Sequence, residues 1–137
     1  CLLEAEGKLA LLCQQSLLEE DAAPLLPLQA LQQLCAVGED GADPEDAKDA
    51  ARVCALNALA AAATLAGGVD RLAGVVKVVG FVASRPDFYA QASVINGASE
   101  LFGEVFGSAH ARSAVGVAAL PLNVSVEVEA EFALVED

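Results

Sequence analysis

The chain has 137 residues, of which 55% are hydrophobic and 4% aromatic. This length fits one domain rather than two complete cores, and the apolar fraction excludes a disordered chain. Seven basic residues stand against twenty acidic ones, so the net charge is −13. Because so few Lys and Arg are available to neutralise phosphates, we expect neither a nucleic-acid partner nor binding to an anionic membrane surface.

The cysteines and the apolar stretches exclude further classes. Four cysteines lie at positions 1, 13, 35 and 54, without a CxxC pair, and His110 is the only histidine, so no zinc site is predicted. The count allows a disulfide, but Cys54 lies in a helical pattern that favours a buried free thiol. The longest apolar stretch, residues 53–66, is too short to span a bilayer. No secretory signal is predicted at the amino end, and we expect a cytoplasmic or organelle-matrix location.

A helix is predicted over Pro44–Ala66. Asp43 occupies the N-cap position, Pro44 the first helical position, and two acidic residues the first turn, where they meet the positive end of the helix dipole. The helix ends at the pair Gly67 and Gly68. Small apolar residues recur on one side of this helix, which predicts close packing against a sheet.

The rest of the chain alternates strands and a second helix. Strands are predicted at Lys8–Cys13, 75–82, 113–120 and 124–134, and a helix at 93–106. The strand at 75–82 is short and rich in β-branched residues, which indicates burial on much of both faces. The last strand alternates strictly between apolar and polar residues, while residues 16–41 receive no assignment. This order predicts an α+β fold with two helices packed on one face of a mixed sheet.

Few residues suit chemistry. Arg112 opens a strand of small residues, and Glu127, Glu129 and Glu131 share one side of the last strand, which we expect to be adjacent. If one glutamate is partly buried, its pKa rises and it can act as a general base, while Arg112 could hold a carboxylate through two hydrogen bonds. The favoured interpretation from chemistry alone is a solvated strand face with a surface ion pair.

Two further polar residues have an open interpretation. His110 could carry a proton, although a single loop histidine more often does not. Asn96 lies in a helix interior, where asparagine is a mediocre helix former, so its amide is either exposed or bonded to a specific partner. A serine-hydrolase triad is excluded because Ser113 has no His and Asp partner set.

Two segments resemble the Rid/YjgF superfamily of reactive intermediate deaminases. Residues 110–134, HARSAVGVAALPLNVSVEVEAEFAL, are similar to its carboxy-terminal signature ARxxxxxxxLPxxxxVEVEA, and residues 51–107 contain its motifs CALN, DF and VINGAS. The resemblance covers residues 43–134 and leaves 1–42 as a divergent amino-terminal segment of one domain, 1–137.

The resemblance implies a chorismate-mutase-like α+β fold that forms homotrimers with ligand clefts between subunits. It implies hydrolytic deamination of 2-imino or 2-enamino acids to 2-oxo acids, without metal or organic cofactor. Arg112 would hold the substrate carboxylate, Glu127 would orient the attacking water, and Asn96 would line the cleft. Part of the superfamily carries the label endoribonuclease L-PSP, which the charge of −13 disfavours here.

The chain also departs from the superfamily pattern at the predicted cleft. If residues 7–15 align with the second strand of the family, Cys13 replaces a serine of the substrate-binding cleft. His110 stands where many members have proline, and Ala114 where the deaminases often have cysteine. The alternative is therefore a non-catalytic Rid-like module that binds a small carboxylate or serves as a structural or interaction subunit.

Overall fold

A computed structural model describes the backbone of residues 2–5 and 8–13 and all atoms of residues 37–38 and 42–135. The elements, numbered here in chain order, are β1 (Leu2–Ala5), β2 (Lys8–Cys13), α1 (Pro44–Ala66), β3 (Leu72–Ala83), α2 (Gln91–Phe106), β4 (Ala111–Val117) and β5 (Val126–Leu134). Every predicted helix and strand is confirmed with small shifts of its ends, and β1 is an additional strand. Most of the unassigned stretch 16–41 lies outside the described residues.

The five described strands form one mixed sheet in the order β1-β2-β5-β3-β4. Strands β3 and β4 run parallel, and the other neighbours are antiparallel. A parallel pair needs a crossover connection, and α2 supplies it between β3 and β4. The predicted α+β fold, with two helices on one face of a mixed sheet, is thereby confirmed.

The expected adjacency of the last two strands is wrong. β3 lies between β4 and β5, so that Val78 is paired with Arg112 on one side and with Ala130 on the other. The connection between β4 and β5 contains a short 3₁₀ turn, Pro121–Asn123, instead of a hairpin turn. β3 is thus an interior strand, with a hydrogen-bonded neighbour on each edge.

Helix α1 begins and ends as predicted. The Asp43 carboxylate accepts a hydrogen bond of 2.7 Å from the backbone N–H of Glu45, and Gly67 closes the helix with φ 86°, a conformation that glycine adopts without strain. Among the described residues, α1 is the one helix whose length and composition would allow it to cross a membrane. The apolar stretch 53–66 alone is shorter, and the more polar first turns supply the remaining length of the helix. Its alanine-rich side packs on the sheet in the manner of a core helix.

The core lies between the helices and the sheet. Its largest fully buried side chains are Phe102, Phe132, Ile95, Val37, Val78, Val82, Val94 and Val128. Cys54 is buried on α1, as predicted. The burial of β3 is one-sided within a single chain, because Val79 and Phe81, on the side away from the helices, stay half-buried and Lys77 is exposed. The expected burial of β3 on both faces is therefore wrong for the isolated chain.

Candidate functional site

Four polar residues meet where the first residues of β4 pass α2. Arg112 Nη1 donates hydrogen bonds to Asn96 Oδ1 at 2.6 Å and to Ser99 Oγ at 3.3 Å. His110 Nε2 lies 3.0 Å from the same Ser99 oxygen. Asn96 and Ser99 are three residues apart, which places both on the side of α2 that faces β4. We refer to Asn96, Ser99, His110 and Arg112 as the Arg112 cluster.

His110 is the half-buried titratable member of this cluster. Its imidazole meets the ring of Phe102 edge to face, with ring centroids 6.1 Å apart. Burial lowers the pKa of His110 below its ordinary value, and the positive charge of Arg112 lowers it further. The imidazole is therefore neutral at pH 7, and Arg112 carries the positive charge of the cluster.

Arg112 differs from other arginines of the chain in the charge of its partners. Arg52 forms two hydrogen bonds to the carboxylate of Glu104, and Arg85 lies 3.5 Å from a carboxylate oxygen of Asp87. Within residues 42–135, by contrast, the acceptors bonded to Arg112 are an amide oxygen and a hydroxyl, and it forms no ion pair. Its guanidinium is exposed, oriented and uncompensated in charge, which suits the binding of a carboxylate.

Glu127 does not join the Arg112 cluster within one chain. Arg112 extends toward α2, whereas Glu127 alternates with the helix-facing residues Val126 and Val128 and so faces the opposite side of the sheet. Glu127 is paired with Phe81, three residues along β3 from the partner of Arg112. With two strand spacings between them, their Cα atoms are about 14 Å apart.

The glutamate row is not the solvated face that chemistry alone favoured. Glu127 is 8% exposed, and Glu129 and Glu131 are half-buried. Glu131 is paired across the strands with Lys77, so the far side of the sheet carries charge of both signs. Because Glu127 is buried, this face of the sheet is not fully solvated even within one chain.

The remaining predicted site residues have different outcomes. His110 and Asn96 lie beside Arg112, as their assignment to one cleft requires. The Cys13 backbone is paired with Val128 in the sheet, but its side chain lies outside the described residues. Sequence reasoning missed Ser99, although its spacing of three from Asn96 is the signal that places it on the same helix side. Among the side chains described, no group of three or more His, Cys, Asp or Glu is placed to hold a metal ion.

Comparisons with known proteins agree with this architecture. The model of the family described as Endoribonuclease L-PSP matches residues 33–134. The chain is 52% identical over 67 residues to Protein TCP17 of Trypanosoma cruzi, a match that covers 47% of this chain and 42% of that protein. The match thus spans less than half the length of that relative.

Two solved structures illustrate the similarity of fold. Atu1372 from Agrobacterium tumefaciens, a protein of unknown function, is 37% identical with a TM-score of 0.77, covering 97% of this chain and 80% of that one. The YjgF gene product of Escherichia coli is 20% identical with a TM-score of 0.53, covering 96% and 84%. At that lower identity the likeness concerns the fold.

Proposed function

Because the chain belongs to the endoribonuclease L-PSP family, the YjgF/Rid family, we propose that it hydrolyses 2-imino and 2-enamino acids to 2-oxo acids. A 2-enamino acid first becomes the imine as a proton moves from nitrogen to the terminal carbon. Water then adds across the carbon–nitrogen double bond, so that its hydroxyl bonds to carbon and its proton goes to nitrogen. The carbon–nitrogen bond breaks as the proton of that hydroxyl also passes to nitrogen, which releases ammonia and leaves a carbonyl group. One water is consumed for each ammonia released, and no electrons are transferred. The observation that carries this proposal is the exposed Arg112, oriented by neutral acceptors and without an acidic partner among the described residues.

Arg112 has the role of binding the substrate carboxylate. Nη1 is used by Asn96 and Ser99, while the other guanidinium N–H groups are directed by that anchoring and can form the parallel pair of bonds that a carboxylate accepts. The amide of Asn96 holds the guanidinium plane without neutralising it. A fixed cation of this kind positions the substrate before water attacks.

Glu127 has the role of orienting the attacking water, and this requires a second copy of the chain. Within one chain it lies on the sheet face opposite to the Arg112 guanidinium, so we propose that a neighbouring subunit of a homotrimer completes each cleft. The partly exposed side chains of Val79 and Phe81 and the 42% exposure of Val115 support burial of this face by another subunit. Sedimentation should detect a trimer at micromolar concentration, and a stable monomer would contradict this assembly.

The activity is tested by following ammonia and 2-oxo acid formation from 2-aminoacrylate generated in place. Arg112→Lys should weaken carboxylate binding, because an ammonium cannot reproduce the planar fork, and a loss of about 30-fold or more is expected. Glu127→Gln should lower turnover with a smaller effect on carboxylate affinity. Arg85→Lys is the matched control, since Arg85 belongs to an exposed pair remote from the cluster. A wild-type protein that does not accelerate ammonia release contradicts the proposed reaction.

A second candidate is a non-catalytic module that binds a small carboxylate. The departures at the cleft favour it: His110 and Ala114 occupy positions where the family often has proline and cysteine. Calorimetry with pyruvate separates the two functions, because a module of this kind releases heat on binding but does not accelerate imine hydrolysis. The absence of heat from the wild type would leave the interaction subunit as the remaining interpretation.

A further inference from the structure

The Ser99 hydroxyl is shared between two side chains of different charge. Its oxygen lies 3.3 Å from Arg112 Nη1 and 3.0 Å from His110 Nε2. Ser99 thus connects the exposed guanidinium to a half-buried imidazole. It is the last residue of the VINGAS motif, but the predicted mechanism gives it no role.

We propose that Ser99, held by His110, is a positioning residue that fixes the Arg112 guanidinium for carboxylate binding. This inference rests on the carboxylate site of the proposed function and adds two residues that act through Arg112. Asn96 anchors Nη1 from one side, and Ser99 adds a second acceptor from the next turn of α2. Two acceptors from one rigid helix define the orientation of the guanidinium plane better than one.

The hydrogen-bond partners of the cluster favour a neutral His110. A hydroxyl has one hydrogen and two lone pairs, and Ser99 Oγ accepts from Arg112 while it shares a second bond with His110. His110 Nδ1 is buried without a hydrogen-bond partner among the described residues. A protonated imidazole would place a second cationic donor on Ser99 Oγ and an unsatisfied N–H at Nδ1, so the contacts favour the neutral ring.

The charges around His110 predict a proton linkage. From α2 the imidazole faces the uncharged Ser99 and Phe102, and from β4 it faces Arg112, whose charge lowers the pKa of His110. A carboxylate bound to Arg112 offsets that charge and so favours protonation of His110. By linkage, affinity for the carboxylate rises as the pH falls through the His110 transition.

The test uses nuclear magnetic resonance of tag-free protein, in which His110 is the sole histidine and its ring signal is unambiguous. Pyruvate is the probe, and its neutral amide, pyruvamide, is the control ligand. Pyruvate should raise the pH midpoint of the His110 signal and pyruvamide should not. In ligand-free protein, Arg112→Gln should raise the same midpoint by removing the neighbouring charge.

Three serine variants separate positioning from general stability. Ser99→Ala should weaken pyruvate binding about tenfold, which corresponds to about 1.4 kcal/mol, and should change the pH dependence of binding. Ser99→Thr keeps the hydroxyl and should restore binding to near the wild-type value. Ser93→Ala changes an exposed serine of the same helix and should have no effect.

The outcomes distinguish this inference from the function on which it rests. If pyruvate binds the wild type and Ser99→Ala equally well, with unchanged pH dependence, the positioning role is overturned and the carboxylate site stands. If pyruvate binds the wild type, Ser99→Ala weakens that binding and imine hydrolysis is absent, the proposed reaction fails and the positioning role is supported. If the wild type does not bind pyruvate, the carboxylate site fails and the positioning role fails with it.

Discussion

The crossing of the two helices provides the sharpest test of the packing. Gly97 of α2 lies against the backbone of α1, where an added Cβ would overlap the carbonyl oxygen of Lys48 and lie 3.2 Å from the backbone nitrogen of Arg52. Neither atom belongs to a side chain that could rotate away. Gly97→Ala should therefore force the helices apart and disturb the core beneath them.

The expected loss follows from two opposing effects. Overpacking a core costs about 1–3 kcal/mol, and a clash with backbone belongs at the upper end of that range. Alanine in a helix interior is about 1 kcal/mol better than glycine, so the net destabilisation is about 2 kcal/mol. The ion pairs Lys48–Glu100 and Arg52–Glu104 also join these helices, but they are largely exposed and contribute little.

Gly103→Ala is the matched control on the same helix. Beyond its chain neighbours and the nearby backbone of its own helix, no atom of the described residues lies within 4 Å of a Cβ added at Gly103. The gain in helix propensity should therefore stabilise the fold by up to about 1 kcal/mol. Urea denaturation of both variants at one protein concentration measures the two free energies of unfolding. A Gly97→Ala protein as stable as the Gly103→Ala protein would refute the tight helix crossing.

Three further predictions concern the helix start, the sheet and the histidine. Asp43→Ala should lower the free energy of unfolding by about 1 kcal/mol through loss of the N-cap, and an unchanged urea midpoint would contradict the cap. Gly80→Ala should cost about 1–3 kcal/mol, because the new Cβ displaces the Ile95 side chain; wild-type stability would show that Ile95 moves freely. Folding lowers the pKa of His110 from 6.5, so between pH 6.5 and the lower folded pKa the unfolded chain binds a proton that the folded chain does not. The free energy of unfolding therefore falls as the pH falls through this range. Thermal unfolding from pH 7 to 5 should accordingly show a smaller acid loss for His110→Gln, and parallel curves would contradict that linkage.

Local sequence was sufficient to predict the helices and strands that carry the site. The limits of α1 follow from an N-cap, a proline and a glycine pair, whose effects act within one or two turns. The alternation in β5 predicts which side chains face the helices, because the strand repeat is two residues regardless of the neighbours. The motifs around Arg112 and Asn96 likewise identify residues that the structure places in hydrogen-bond contact.

Only the tertiary structure decided how these elements combine. Nothing local to residues 111–134 indicates that β3 inserts between β4 and β5, since strand order depends on which edges find partners across the whole sheet. That insertion separates Glu127 from Arg112 by two strand spacings. Their registers with Phe81 and Val78 of β3 leave the two side chains on opposite faces of the sheet within one chain. The contact of Ser99 with both His110 and Arg112 likewise arises because the crossover through α2 lays its polar side along the start of β4. Sequence thus determined the local elements, whose energetics are short-range, whereas long-range strand pairing determined which side chains meet.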